Sequence, residues 1–251
     1  MNISLSLSTR LKTLRLSGML ESLDLRLEQA RSSSLGYLEF LELIVQDEVE
    51  RRDANKLNQR LKRAAFEEPK AIEDFEFASL PGINVAAIKD LATGLFVTRK
   101  EHVILYGPPG VGKTHLAQAL GNRACRIGHS TLFIKATKLF RNLNTARADG
   151  TWEKALRKIL APDCLIIDDF GLSALTITQA EEFYEIIAER HQRGSIIMTS
   201  NRPPGDWLTL FPDQVMANSA MDRLAHHAHH IAMKGDSYRK KSRPKTQQGD
   251  H

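Results

Sequence analysis

Short apolar runs alternate with amphipathic stretches from about residue 101 onward. The runs predict five strands, at residues 102–106, 131–135, 164–168, 195–199 and 230–233. Between them, apolar positions three and four residues apart predict helices at about residues 113–127, 151–160, 176–193 and 217–227. Strands that are apolar throughout and alternate with helices are typical of a parallel sheet covered on both faces. The sequence therefore predicts an α/β fold for this part of the chain.

The N-terminal part has only helical periodicity. Apolar residues from Leu11 to Leu27 recur at helical steps and predict a first helix, which the Ser-rich segment at residues 32–36 ends. A second, longer helix is predicted at residues 37–63. Its apolar side consists of Leu38, Leu41, Val45, Val49, Leu57 and Leu61. We interpret this side as the one that packs against the rest of the chain.

These patterns divide the chain into four segments. An N-terminal helical domain spans residues 1–66, and a connector with one short helix at residues 83–95 spans residues 67–100. The α/β domain is predicted at residues 101–240. A flexible basic tail is expected at residues 241–251.

Composition places the chain among ordinary soluble proteins, with 42% hydrophobic and 26% charged residues. No apolar run approaches the roughly 20 residues of a membrane span, and the N-terminus lacks the layout of a signal peptide. The two cysteines, Cys125 and Cys164, match no metal-binding spacing and fit a reducing compartment. We therefore expect a cytoplasmic protein.

Basic residues are concentrated in two clusters, within a formal net charge of +5. The first cluster is Arg51, Arg52, Lys56, Arg60, Lys62 and Arg63. The second is Arg239, Lys240, Lys241, Arg243 and Lys245. Each cluster is either a solvated face or a contact surface for a polyanion such as DNA.

One glycine-rich segment follows the first predicted strand and precedes a predicted helix. Its sequence, GPPGVGKT, matches the P-loop pattern G-x-x-x-x-G-K-[ST] in the required context. The candidate nucleotide-binding residues are Gly107, Pro108, Pro109, Gly110, Val111, Gly112, Lys113, Thr114 and His115. Backbone N–H groups of such a loop approach phosphate oxygens, the lysine bridges the β- and γ-phosphates, and the threonine hydroxyl binds Mg²⁺. The segment predicts ATP and Mg²⁺ as cofactors.

Two carboxylates end the third predicted strand, as in a Walker B motif. We expect Asp168 to hold Mg²⁺ and Asp169 to orient or deprotonate the attacking water. Two acids after a strand also form ordinary turns, but the P-loop upstream favours the catalytic interpretation. The order of these motifs resembles that of AAA+ ATPases, in which a sensor 1 residue and an arginine finger follow.

That resemblance assigns two more residues. Asn201, after the fourth strand, corresponds to sensor 1, although Asn-Arg-Pro-Pro is also good turn chemistry. Arg223 is the candidate finger, which acts in trans on the nucleotide of a neighbouring subunit; a surface ion pair with Asp222 is the alternative. Arg190 and Arg193 are lesser candidates.

Four histidines at residues 226, 227, 229 and 230 suggest a metal site at first sight. No cysteine or carboxylate completes a zinc-like spacing around them. We interpret these histidines as the end of a helix and the start of the last strand.

Several longer motifs resemble the IstB-like ATPases, helpers of insertion-sequence transposition that are related to DnaC helicase loaders. They are Gly112–Ala117, Asp168–Gly171, Thr199–Asn201, Asp222–Leu224, Gly235–Arg239, Leu16–Met19, Glu48–Arg52 and Asp74–Phe77. The resemblance implies an AAA+ domain, ATP-dependent oligomerisation on duplex DNA as a ring or spiral, and recruitment of a transposase. Too few residues follow the last strand for a full C-terminal lid, so a reduced or absent lid is expected, with Arg239 as a candidate second sensor.

Two alternatives remain at this point. A loader of a replicative helicase shares the ATPase motifs, whereas the N-terminal motifs favour the transposition helper. A small-molecule P-loop kinase predicts a lid insertion and no arginine finger, and neither feature suits this chain.

Overall fold

The computed structural model describes residues 5–80, 82–225 and 227–235. The chain divides into two compact units, Met1–Gln59 and Arg60–His251, which are described separately below. The domain bounds predicted at residues 66 and 100 stay predictions. The predicted tail at residues 241–251 lies outside the described residues, as do the residues that would decide the size of a lid.

The first unit is helical. Its helices are α1 (Leu5–Thr13), α2 (Ser17–Ser32) and α3 (Tyr37–Ala64), the last of which continues into the second unit. The single helix predicted from Leu11 to Leu27 is wrong, because the chain breaks between α1 and α2. Arg15 at the break has a φ of 58°, a left-handed conformation that interrupts a right-handed helix.

Helix α2 is capped by a side chain from α3. Its N-cap residue, Leu16, supplies no side-chain hydrogen bond. Instead, Glu48 Oε2 accepts the backbone N–H groups of Gly18 at 2.6 Å and Met19 at 3.3 Å, while Glu48 Oε1 accepts Arg52 Nε at 2.6 Å. A Cβ on Gly18 would lie 2.8 Å from the Cα of Glu48, so only glycine allows this approach. Two of the motifs noted above, at residues 16–19 and 48–52, thus form one structural contact.

The apolar side predicted for α3 does not pack against this unit. Leu38, Leu41, Val45 and Val49 are 69%, 54%, 41% and 45% exposed. Helix α3 instead buries Ile44 and the capping Glu48. The prediction is therefore wrong for the first half of α3, whereas Leu57 and Leu61 are half-buried.

We expect Glu48→Ala to destabilise α2 by about 2 kcal/mol, since it leaves two helix N–H groups and Arg52 without their acceptor. Burial raises the pKa of Glu48, but the hydrogen bonds from Arg52, Gly18 and Met19 outweigh it and the net pKa is lowered. The stabilisation is therefore present at neutral pH and is lost as the pH falls through the lowered pKa.

Hydrogen exchange on the full chain measures this effect. At pH 7 the amides of the first turn of α2 should exchange at least about tenfold faster in Glu48→Ala. Glu50→Ala, an exposed acid on the same helix, is the control. Equal protection in the two variants would contradict the capping role.

The second unit contains a five-stranded sheet. Its strands are β1 (His102–Tyr106), β2 (Thr131–Lys135), β3 (Cys164–Phe170), β4 (Ser195–Ser200) and β5 (Ala228–Ala232). The strand order is β2-β3-β4-β1-β5, and every described pairing is parallel. Its helices are α4 (Val85–Leu91), α5 (Leu95–Thr98), α6 (Lys113–Arg126), α7 (Ala136–Ala148), α8 (Trp152–Leu160), α9 (Ile177–Arg190) and α10 (Gln214–Ala225), with 3₁₀ turns at Phe77–Ser79 and Pro204–Leu210.

Helices cover both faces of the sheet. In β1, Ile104 belongs to one apolar core, with side chains from α7 to α10, whereas Val103 and Leu105 belong to the other, with side chains from α4, α5 and α6. Alternate residues of a strand point to opposite faces, so both faces are buried. The predicted parallel α/β fold is confirmed.

Some predicted elements need correction. Helix α7 was not among the predicted helices, although the spacing of Leu139, Phe140, Leu143 and Ala146 is helical. The helix predicted at residues 83–95 is shorter, Val85–Leu91, and a second short helix begins at Leu95, after Gly94 with a φ of 79°. Strand β5 begins two residues earlier than predicted. Within the described ranges, no helix combines the length and apolar character needed to cross a bilayer.

Candidate nucleotide-binding site

Three central strands end side by side at one edge of the sheet. The P-loop follows β1, the two aspartates end β3, and Asn201 follows β4. Strands β3, β4 and β1 are neighbours, and Gly107 N–H donates to the carbonyl of Ser200 at 3.2 Å. The predicted site residues of three separate motifs therefore meet at the carboxyl edge, where open α/β sheets bind ligands.

The P-loop backbone requires glycine at specific positions. Gly110 and Gly112 have φ values of 84° and 93°, which favour glycine. A Cβ on Gly107 would lie 2.0 Å from the carbonyl oxygen of Met233, and one on Gly112 would lie 2.9 Å from Cε2 of Phe75. The loop is thus held between the end of β5 and the connector.

Other P-loop residues differ in exposure. Val111 is buried, Pro108 and Pro109 are exposed, and α6 begins at Lys113 with its amino end toward the loop. The ring of His115 packs edge-on against Phe75, with 5.3 Å between centroids. Burial lowers the pKa of His115, so the ring is neutral at physiological pH.

Lys113 lies inside the loop rather than in solvent. It is 5% exposed, and its Nζ donates to the carbonyl oxygens of Gly107 and Pro108, both at 2.8 Å. The ammonium group is therefore held at the centre of the turn, where a β- or γ-phosphate would be bound.

Asp168 connects the P-loop helix to β4. Its Oδ1 accepts Thr114 Oγ1 at 2.9 Å and Thr199 Oγ1 at 2.6 Å. Its Oδ2 is buried and has no hydrogen-bond partner among the described residues. Burial raises the pKa of this carboxyl, with the neighbouring charge of Asp169 adding to it. A buried carboxylate oxygen without a partner, beside a threonine hydroxyl, fits the oxygen-ligand preference of Mg²⁺.

Asp169 has an unusual backbone conformation. Its φ is 57°, and its N–H donates to Thr199 Oγ1 at 2.9 Å. A register irregularity between Ile167 and Phe170 interrupts the pairing of β3 with β4 at this point. Left-handed non-glycine residues cluster at functional sites, where surrounding contacts maintain the strain. Thr199 thus positions both carboxylate residues.

The candidate arginines lie in different places. Arg223, on α10, has its guanidinium 5.2 Å from the ring centroid of Tyr184, and the described residues contain no ion pair between it and Asp222. Arg190 is 1% exposed and donates to backbone carbonyls near the amino ends of β3 and β4. Arg193 pairs with Glu189 at 2.7 Å. The structure gives Arg190 a structural role on the edge opposite the P-loop.

Most of the first basic cluster makes contacts within the chain. Arg51 pairs with Glu21, Arg52 with Glu48 and Lys56 with Asp53, and Arg60 donates to the carbonyl of Cys125. Lys62 and Arg63 are exposed. The candidates Arg239, Lys240 and Lys241 lie outside the described residues.

A family model described as IstB-like ATP-binding protein matches residues 9–246 of this sequence. The chain belongs to the IstB-like ATP-binding proteins. An insertion-sequence ATP-binding protein of Mycobacterium tuberculosis is 43% identical over 240 residues, covering 95% of this chain and 96% of the relative. The IS21 ATP-binding protein of Pseudomonas aeruginosa is 40% identical, covering 95% of this chain and 89% of the relative. The resemblance inferred from the motifs is confirmed.

Solved structures agree with the fold of this IstB-like protein. The crystal structure of DnaI has a TM-score of 0.59 at 24% identity, covering 67% of this chain and 96% of DnaI. The DnaC helicase loader has a TM-score of 0.53 at 21% identity, covering 70% and 99%. AMPPCP-bound DnaA from Aquifex aeolicus has a TM-score of 0.57 at 21% identity, covering 70% and 54%. These likenesses show the P-loop AAA+ fold of this ATP-binding family.

Three residues of the site were not singled out from the sequence. Thr199 lies in a quoted motif, but only Asn201 was given a role there. Phe75 lies in the quoted connector motif and packs on the P-loop. Lys135, at the end of β2, is in register with Asp168 and pairs with Glu67 at 2.8 Å. Its position directly after an apolar strand, like that of the aspartates, is the signal that could have identified it.

Proposed function

We propose that this IstB-like protein is a Mg²⁺-dependent ATPase that oligomerises on duplex DNA and recruits the transposase of its insertion sequence. The observation that supports ATPase activity is the hydrogen-bond network from Thr114 through Asp168 to Thr199, directly beside the P-loop. The relatives' descriptions as insertion-sequence ATP-binding proteins support a role in transposition. A helicase loader is not favoured, because DnaI and DnaC resemble the chain at identities that show the fold alone.

The residues have complementary chemical roles in this proposal. Lys113 exchanges its two loop carbonyls for β- and γ-phosphate oxygens. Thr114 and Asp168 would hold Mg²⁺, which neutralises phosphate charge when bound. Asp169 accepts hydrogen bonds from the attacking water, and the Asn201 amide orients that water or the γ-phosphate. Hydrolysis needs this arrangement because phosphoryl transfer depends mainly on positioning and charge stabilisation.

In this proposal, oligomerisation supplies a further positive charge to the γ-phosphate. We propose that Arg223 leaves the face of Tyr184 and reaches the γ-phosphate bound by a neighbouring subunit. An arginine over an aromatic ring is held only by about 1 kcal/mol at an exposed site, so it can be redirected on assembly.

Mixing two inactive variants tests action in trans. Arg223→Ala and Asp169→Asn should each lose at least about 100-fold in ATPase rate on DNA. A mixed assembly contains some sites with Asp169 from one subunit and Arg223 from its neighbour, so an equimolar mixture should recover a substantial fraction of activity. Arg193→Ala is the control and should hydrolyse ATP like the wild type. A mixture as inactive as its components, with assembly shown by light scattering, would exclude Arg223 as the finger.

The basic residues that are candidates for DNA binding differ in their exposure and in their ion pairs. Lys62 and Arg63 are exposed, whereas replacing Arg51 or Arg52 also removes an ion pair within the first unit. We therefore propose Lys62 and Arg63 as phosphate contacts. They would neutralise the DNA backbone without reading its sequence, so binding should weaken with salt.

A further inference from the structure

A second concave site lies at the edge of the sheet opposite the P-loop. Here the amino ends of β4, β1 and β5 lie side by side. Between them is a cavity of about 120 Å³, about four times the ~30 Å³ share of a water molecule in the liquid. Its lining residues are Arg99, Lys100, His102, His191, Gln192 and His227. All six carry nitrogen donors, and none is a carboxylate.

The two loops at the cavity have strained backbones. Lys100, just before β1, has a φ of 62°, and Gln192, just before β4, has a φ of 60°. Neither is glycine, so each left-handed residue costs free energy that the surrounding contacts must offset. Such conformations are common where side chains are directed to a ligand, and both residues line this cavity.

The histidines offer hydrogen-bond donors to the cavity. His102 is buried, and its Nδ1 accepts the N–H of Ile196 at 3.1 Å, which leaves the ring proton of neutral His102 on Nε2. Nδ1 of His191 is buried without a hydrogen-bond partner in the part of the chain that the structure describes. The rings of His191 and His227 are 6.3 Å apart. One residue of the lining, His191, therefore has a buried polar atom without a partner in the described part of the chain.

The electrostatic field in the cavity is positive. Arg190 lies behind the lining, and desolvation together with its charge and those of His191 and His227 lowers the pKa of His102 to about 4. Two acids lie nearby: Glu101 pairs with His229 at 2.8 Å, and Asp163 accepts both the N–H and the hydroxyl of Ser130. The charge of Lys100 helps to lower the pKa of Asp163, but the two residues form no ion pair. Neither Arg99 nor Lys100 makes an ion pair with a described residue. The charged side chains that line the cavity, Arg99 and Lys100, are both cations, so the ligand that complements them is an anion.

We propose that this cavity binds a phosphate group, with Arg99 and Lys100 as its cations and the histidine rings as hydrogen-bond donors. The phosphate is either a free oxyanion or one ester of the DNA backbone. The cavity is at the opposite sheet edge from the P-loop, so it is separate from the ATP site. The interpretation that the phosphate belongs to DNA rests on the proposed function, whereas the interpretation as a free oxyanion does not.

Histidine-ring NMR of the full chain tests this site. The protein is labelled in its imidazole rings and kept saturated with Mg²⁺ and a non-hydrolysable ATP analogue, so that the P-loop is occupied. Inorganic phosphate is then titrated at constant ionic strength and pH against chloride. We expect saturable shifts of the His102, His191 and His227 signals, and at least tenfold weaker binding in the Arg99→Gln/Lys100→Gln variant.

The matched control is Arg157→Gln/Lys158→Gln, an exposed arginine–lysine pair on α8, which should titrate like the wild type. An unchanged His115 signal shows that the variants fold. In a second arm, a short duplex DNA replaces phosphate. Shifts with DNA alone identify a backbone phosphate as the ligand, and shifts with inorganic phosphate identify a free-anion site.

Two results would overturn the proposal. One is the absence of shifts in these three rings with either phosphate source. The other is equal binding by the wild type and the Arg99→Gln/Lys100→Gln variant. Neither result bears on ATP hydrolysis, which is measured separately and which the proposed function requires.

Discussion

Replacing Lys113 by alanine is expected to raise the Kd for MgATP by about 100-fold or more. Hydrogen bonds to charged groups contribute about 1.5–3 kcal/mol each, and Lys113 is placed to make two of them to phosphates. The effect on folding should be smaller, because the two bonds that Nζ makes in the structure are to carbonyls of Gly107, which is half-buried, and Pro108, which is exposed. Loss of nucleotide binding should also abolish ATP-dependent assembly on DNA.

Isothermal titration calorimetry with a non-hydrolysable ATP analogue measures the change in affinity. Lys138→Ala, an exposed lysine on α7, is the control and should bind like the wild type. Thermal unfolding of both variants shows whether the domain remains intact. If folded Lys113→Ala retained ATP within threefold of the wild type, the assignment of the phosphate site would be wrong.

Asp169→Asn is expected to bind ATP normally and to hydrolyse it about 10²- to 10⁴-fold more slowly, the usual contribution of a general base. Asparagine suits the test because it tolerates the left-handed backbone that Asp169 adopts, whereas alanine would add strain to the loss of the carboxylate. The backbone N–H that Thr199 accepts is unchanged. The variant should therefore separate the chemical step from binding.

Single-turnover hydrolysis and light scattering on duplex DNA provide the two readouts. Asp169→Asn assemblies should persist after free ATP is removed, because the variant does not hydrolyse the bound ATP that maintains them. Asp169→Gly, which relieves the backbone strain and also lacks the carboxylate, should behave in the same way. If assemblies of Asp169→Asn dissociated as fast as those of the wild type, the base would have to be another residue.

Local patterns predicted the sheet, and they predicted which residues meet at its carboxyl edge. The P-loop is eight consecutive residues in a strand–loop–helix context, and the strands are apolar throughout because both their faces are buried. Asp168 and Asn201 could be assigned to the same site because they end apolar strands and follow the P-loop in the motif order of AAA+ ATPases. These are short-range or topological signals, which a single sequence contains.

Contacts between distant residues could not be predicted in this way. The spacing of Leu38, Leu41 and Val45 identifies an apolar helix side but not its partner. In the structure, a neighbouring side of α3, with Ile44 and Glu48, is the buried one. In the sequence, Thr199 is an ordinary strand residue. Only the structure shows that its hydroxyl contacts both Asp168 and Asp169. The cavity at the amino edge likewise combines residues that are up to 128 positions apart, from Arg99 to His227.

The close approach of Gly107 to Met233 has an evolutionary consequence. The carbonyl of Met233 occupies the space of any side chain at position 107, and the N–H of Met233 donates to the carbonyl of Tyr106 at 2.8 Å. In a descendant that lost ATP binding, selection on Lys113 would relax, while sheet packing would still require glycine at position 107. A decayed copy of this gene should therefore keep the first glycine of the motif longer than its lysine.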